Sequence, residues 1–142
     1  MDFFVNSRSV AKKASYKVDK PTIIISITDP DKELNVFAKN PNIIGVCRLQ
    51  FDDTDPDIKL KYETLMTPQD ASKIKDFVDR HTDKAEQIIV HCEAGISRSA
   101  GVMAAIMRYF GYDNNCIFKS HRFCPNMYCY ELTAKAFGVY DE

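Results

Sequence analysis

Apolar and polar positions along this chain fall into blocks that read as strands and helices in turn. Thr22 to Thr28, TIIISIT, is a β-branched run that Asp29-Pro30-Asp31 stops, the pattern of a core strand. Ile43 to Phe51, IIGVCRLQF, is a second strand, apolar early and alternating later, and it runs straight into the acidic stretch DDTDPD. Between the two, Glu33 to Asn40 fits neither period, and Pro41 ends it. Thr67-Pro68-Gln69-Asp70 is a helix start: an N-cap hydroxyl, proline at the first helical position and an acid at the third. Ala71, Ile74, Phe77 and Val78 then recur at helical spacing with Lys73, Lys75, Asp76 and Asp79 opposite, so this helix lays one face on the sheet. After a turn near Asp83, Ile88, Ile89 and Val90 form a short central strand. A tight segment from His91 to Arg98 leads into a helix from Ser97 to Phe110, apolar nearly all round and so buried on several sides, which Gly111 closes.

The two ends are less regular. Residues 1–20 are mixed and basic; Val10, Ala11 and Ala14 offer at most one short helical turn after Ser7 or Ser9, and the segment is expected to be an arm packed on the rest. Asp113 is placed to cap a short helix through Phe118 to His121, and Pro125-Asn126 starts a final helix with Met127, Tyr130, Ala134 and Phe137 on one face. Strands alternating with helices predict an α/β domain over 1–142: a largely parallel central sheet of four to five strands flanked by helices. Ligands of such sheets bind at the carboxyl ends of the strands. The acidic stretch after Phe51 and the loop after Val90 both follow strand ends, so they can meet over one cleft.

Composition narrows the partners. With 142 residues and 45% hydrophobic content, one domain with a proper core is expected. The net charge of −1 is spread over both signs and leaves no basic tract, so neither nucleic acid nor membrane is an expected partner. A monomer is the expected state, although charge does not decide it. Five irregularly spaced cysteines, with no signal peptide or long apolar run, favour reduced thiols in the cytoplasm. Without CxxC pairs or His/Cys clusters of ligand spacing, no metal and no cofactor are expected.

The chemistry concentrates in Gln87 to Gly111, QIIVHCEAGISRSAGVMAAIMRYFG, read as strand, loop and helix. A loop closing onto a helix N-terminus aims several backbone N–H groups and the positive end of the macrodipole at one spot, which suits an anion. Cys92 sits at the base of this loop and Arg98 six positions later. Such surroundings favour a thiolate, the nucleophilic form of cysteine, and they also bind an incoming phosphate. Arg98 can grip two phosphate oxygens while the N–H groups of Glu93, Ala94, Gly95, Ile96, Ser97 and Arg98 hold the others. Gly95 lets the backbone curl, and Ser99 brings a hydroxyl towards the sulfur. A cation at a helix N-terminus is unfavourable unless an anion offsets it, which favours a functional Arg98 over a surface one. Spacing alone is weak: Cys116 and Arg122 are also six apart, in CIFKSHR, with no glycine, no preceding β-run and no helix start after them.

The stretch HCEAGISRS resembles the signature loop of the cysteine-dependent protein tyrosine phosphatase superfamily, His-Cys, five residues, Arg, then Ser or Thr, and most closely its dual-specificity branch. The likeness extends, more loosely, from about Thr22 to Phe137. It implies that fold and a two-step phosphomonoester hydrolysis, with Cys92 as nucleophile, Arg98 on the phosphoryl group, Ser99 on the sulfur and His91 orienting the loop. The superfamily carries an Asp on an upstream loop as proton donor, and FDDTDPD resembles that loop. The match selects Asp53, with Asp55 next and Asp52 and Asp57 also in range, because KLKYETLMTP lengthens the spacing to Cys92. Arg122, Pro125 and Asn126 resemble a stretch of the same branch read here as structural. Glu93 inside the loop disfavours a polyanionic ligand, so the implied substrates are phosphorylated peptides or proteins, or small phosphate esters, ahead of phosphoinositides. A rhodanese-like sulfurtransferase would share a loop cysteine, and a silent phospho-binding module would be expected to have lost Cys92 or Arg98.

Overall fold

The computed structural model describes residues 1–141. Four strands form one sheet: β1 (Asp2–Asn6), β2 (Thr22–Thr28), β3 (Ile43–Gln50) and β4 (Gln87–His91), in the order β1-β4-β2-β3. Every pairing is parallel, so all four carboxyl ends lie along the same edge. The helices are α1 (Arg8–Ser15), α2 (Pro68–His81), α3 (Arg98–Tyr109), α4 (Asn115–Phe118) and α5 (Met127–Ala136). Among the described residues no helix is long and apolar enough to cross a membrane.

The period-2 geometry of a strand divides β2 and β4 between two cores. Ile23, Ile25, Ile27, Ile88 and Val90 face the larger one, which Ala71, Ile74, Phe77 and Val78 of α2, the apolar length of α3, and Cys129, Tyr130 and Ala134 of α5 complete. Ile24 and Ile89 face the smaller one, where Ala11 of α1 covers them. Helices therefore lie on both faces, which explains why both central strands are buried along their whole length. Each of the larger core isoleucines stabilises the fold by about 2–3 kcal/mol through area removed from water.

Helix α2 starts as its sequence predicts. The Thr67 hydroxyl accepts from Asp70 N at 3.1 Å and the Asp70 carboxylate accepts from Thr67 N at 2.9 Å, a complete capping box.

The N-terminal residues differ from expectation. Asp2–Asn6 is a strand paired with β4 in register from Asp2↔Gln87 to Asn6↔His91, and Arg8–Ser15 is a full two-turn helix capped by the Ser7 hydroxyl, which accepts from Val10 N at 3.2 Å. Phe3 anchors the strand against Phe110 and Tyr112, with ring centroids 5.9 and 5.1 Å away. Helix α4 stops at Phe118 rather than His121, and its N-cap is Asn114. Asp113 instead accepts from Asn115 N at 2.7 Å, a local turn. On α5 the buried face is Cys129, Tyr130, Thr133 and Ala134, while Met127 points into solvent.

Candidate active site

The parallel sheet brings four segments together at its carboxyl edge: Ser7 and Arg8 after β1, Asp29 to Lys32 after β2, Phe51 to Asp53 after β3, and Cys92 to Ser97 after β4. The last of these forms a cup. The carbonyls of Glu93, Ile96 and Ser97 turn outward, accepting from Arg8 N at 3.1 Å, Cys124 N at 3.1 Å and Asn126 N at 3.0 Å. Among the described residues the amides of Glu93, Ala94, Gly95, Ile96 and Ser97 donate to no protein acceptor. A run of unpartnered N–H groups ahead of a helix N-terminus is an anion site. Gly95 makes the curl possible: its φ is +71°, and a Cβ there would meet Asn6 C and Ser7 N at 2.5 Å.

Cys92 lies at the floor, 2% exposed, with its Sγ 3.1 Å from the Ser99 hydroxyl. Arg98, 4% exposed, places Nη1 2.7 Å from both Asp29 Oδ1 and the Phe51 carbonyl. Its Nε and Nη2 make no hydrogen bond among the described residues, and that leaves the bidentate edge of the guanidinium for an oxyanion.

His91 is fully buried under the cup. Its Nδ1 lies 3.0 Å from the Cys92 carbonyl, which can only accept, so Nδ1 carries the hydrogen. Nε2 then accepts from the Ser26 hydroxyl at 2.6 Å and faces the Asn35 amide at 3.4 Å. Burial pushes the imidazole below its ordinary pKa, with Arg8 and Arg48 acting in the same direction against the Cys92 carbonyl and Glu93. This neutral ring ties β2, β4 and the start of the loop together.

The four aspartates after Phe51 part company. Asp52 closes the lengthened loop on itself, donating from N to Thr64 O at 2.8 Å and accepting from Thr64 N at 2.7 Å. Asp55 turns inward on its own chain, accepting from Asp57 N at 2.8 Å and Ile58 N at 3.2 Å. Asp57 makes no side-chain hydrogen bond among the described residues. Asp53 is the one whose carboxylate reaches the cup: Oδ1 accepts from Ser97 Oγ at 2.8 Å and from Asn126 Nδ2 at 2.9 Å. Within the stretch that lengthens the spacing to Cys92, Leu60 and Tyr62 are exposed while Met66 packs into the larger core.

A carboxylate beside the loop, a thiol at the floor of an amide cup and a guanidinium edge are the kinds of group that phosphoryl transfer through sulfur uses. The sequence model of the family described as "Dual specificity phosphatase, catalytic domain" matches residues 3–130. The chain belongs to that family. It is a cysteine-dependent phosphatase with the fold of that superfamily. Similar solved structures include human tyrosine phosphatase-like serine/threonine/tyrosine-interacting protein, 22% identical with a TM-score of 0.63 over 97% of this chain and 92% of that one. Human DUSP28 is 17% identical, with a TM-score of 0.60 over 96% and 92%. PTPMT1 in complex with PI(5)P is 14% identical, with a TM-score of 0.56 over 96% and 90%. At these identities the likeness is one of fold. Comparison with curated protein sequences gives no match.

Asp29 and Asn126 escaped sequence reasoning as parts of this site. Asp29 reads as a strand stop, although its place at the carboxyl end of a core strand was a signal that it faces the cleft. Asn126 reads as a helix cap, and it is one, accepting from Cys129 N at 3.0 Å. Its second task depends on the acid loop folding back across a sequence separation that no local pattern reports. Glu93 also behaves differently from its sequence reading. Its carboxylate is 3.0 Å from Lys32 Nζ and 3.7 Å from Arg8 Nη1, so its charge is largely offset before any ligand arrives.

Proposed function

We propose that the chain hydrolyses phosphate monoesters on phosphorylated peptides or proteins through a cysteinyl-phosphate intermediate. The five loop amides without protein acceptors above Cys92 carry this reading. The amides of Glu93, Ala94, Gly95, Ile96 and Ser97, with Nε and Nη2 of Arg98, hold the three non-bridging oxygens. Cys92 Sγ attacks phosphorus as the bond to the ester oxygen breaks, and Asp53 gives its proton to that leaving oxygen. Water then attacks the cysteinyl phosphate, Asp53 takes the proton, and the departing thiolate is steadied by the Ser99 hydroxyl. His91, neutral and buried, fixes the loop without moving a proton.

Phosphotyrosine, phosphoserine and phosphothreonine peptides are the first substrates, with small phosphate esters also accepted. A phosphoinositide is a second reading, favoured only in that Arg8 and Lys32 pair with Glu93 and offset its charge beside the cup. We place the enzyme in the cytoplasm as a monomer of one domain, in keeping with five free cysteines and interspersed surface charge. A panel of phosphotyrosine peptide, phosphothreonine peptide, a phosphoinositide and thiosulfate, run on the wild type and on Cys92→Ser, tests the activity and the substrate class. Peptide hydrolysis lost in Cys92→Ser is expected. Thiosulfate cleavage, or no hydrolysis of any phosphate ester by the wild type, overturns the proposal.

A further inference from the structure

Asp53 is held by one oxygen only. Its Oδ1 takes two donors, Ser97 Oγ at 2.8 Å and Asn126 Nδ2 at 2.9 Å, while Oδ2 has no hydrogen-bond partner among the described residues. A proton on Oδ1 would require one of those donors to be given up, so the proton of the acid form resides on Oδ2. Ser97 makes this arrangement at the expense of its usual local role. It occupies the N-cap position of α3, where a serine ordinarily accepts from the first helical turn, yet its side chain makes no capping hydrogen bond.

Asn126 is the junction of the arrangement. The same Nδ2 that reaches Asp53 also donates to the Thr54 carbonyl at 3.1 Å. Its main-chain N donates to the Ser97 carbonyl at 3.0 Å, and its Oδ1 caps α5. One residue thus fixes the acid loop, the phosphate-facing loop and α5 relative to one another. The approach is close enough that a Cβ on Gly101 of α3 would lie 2.4 Å from the Asn126 carbonyl oxygen.

We propose that Asn126 and Ser97 are positioning residues that latch Asp53 over the cup and confine its transferable proton to Oδ2, facing the leaving oxygen. This rests on Asp53 being the acid, as in the proposed function. The latch matters most when the leaving oxygen needs a proton and least when it is already a stable anion, so its loss changes the dependence of rate on leaving-group basicity.

The test measures kcat and KM for a series of aryl phosphates of rising leaving-group pKa. The variants are Asn126→Ser, which keeps a capping oxygen and removes the amide donor, Ser97→Ala with Ser97→Thr as its conservative counterpart, Asp53→Asn, and Asp53→Asn combined with Asn126→Ser. General acids contribute about 10²–10⁴-fold, and loss of the latch is expected to forfeit about tenfold for the most basic leaving groups, with little change for p-nitrophenyl phosphate. Ser97→Thr should recover most of what Ser97→Ala loses, and the double variant should be no slower than Asp53→Asn alone. An equal loss across the series, or a full additional loss on top of Asp53→Asn, overturns the latch. A flat leaving-group response in Asp53→Asn itself shows instead that the acid was misassigned, and the latch falls with it. If Asn126→Ser does not fold, the Ser97 pair decides the matter alone.

Discussion

Asp29 Oδ1 lies 2.7 Å from Arg98 Nη1, and the guanidinium it holds is almost wholly sunk in protein. The Phe51 carbonyl accepts from the same nitrogen at 2.7 Å, so one end of the fork is clamped while Nε and Nη2 make no hydrogen bond among the described residues. An arginine fixed in this way loses little rotamer freedom when an oxyanion arrives. Asp29→Ala should lower kcat/KM by about tenfold to a hundredfold and stability by about 1–3 kcal/mol, the cost of leaving a buried group without its partner. Asp29→Glu should recover part of both. Steady-state kinetics beside chemical denaturation check this, and unchanged kcat/KM in Asp29→Ala would show that the clamp is idle.

The aspartates of the long loop should separate by effect. Asp53→Asn is expected to slow turnover most for substrates with basic leaving groups. Asp52→Asn loses the bond to Thr64 N and should instead loosen the 52–64 closure, raising its susceptibility to protease with a milder and leaving-group-independent effect on rate. Limited proteolysis together with the aryl phosphate series distinguishes the two, and an Asp52→Asn profile matching that of Asp53→Asn would reassign the acid.

Two glycines are hemmed in by backbone that leaves no room for a methyl. At Gly95 the obstacle is the backbone of Asn6 and Ser7 and the φ is positive, so Gly95→Ala should distort the cup and cost most of the activity. At Gly101 the obstacle is the Asn126 carbonyl, so Gly101→Ala should push α5 from α3 at about 1–3 kcal/mol and slow catalysis through the displaced Asn126. Phosphate-analogue binding measured by calorimetry should fall steeply in the first variant and only modestly in the second. The reverse order would contradict this account of the site.

His91 gives the fold a pH dependence with a definite sign. Burial lowers its pKa in the folded protein, so the unfolded chain takes up the proton first as pH falls. The stability contributed by the neutral ring is complete above the ordinary histidine value of about 6.5 and is lost as pH drops through that value towards the lower folded one. Urea denaturation across this range should show the wild type weakening below about pH 6.5, with His91→Asn showing a flatter profile. Parallel profiles would show that His91 is not the group responsible.

Much of the fold could be read from local pattern because its central pieces are locally consistent. The TIIISIT run, the Thr67–Asp70 capping box and the apolar length of α3 each specify one structure by themselves. Strand β1 could not be read this way. DFFVN is short and begins and ends in polar residues, and it becomes a strand only because β4 offers a partner and Phe110 and Tyr112 cover Phe3. Helix α1 is similar: only Ala11 and Ser15 are buried on it, too few to make a helical period visible. The loop from Cys92 to Ser99 is contiguous, so it was legible as a motif. Asp29 and Asn126 join it through the parallel alignment of the strand ends and the packing of α5 on α3, relationships that exist only once the chain has folded.

In the proposed reaction the Cys92 sulfur is the atom that receives the phosphoryl group. Rapid acid quench during turnover of an aryl phosphate, followed by peptide mass spectrometry, tests it most directly. A phosphoryl adduct confined to the Cys92 peptide, and missing in an inactive Cys92→Ser, is the predicted result. Continued turnover by Cys92→Ser, or an adduct carried by any other residue, would contradict it.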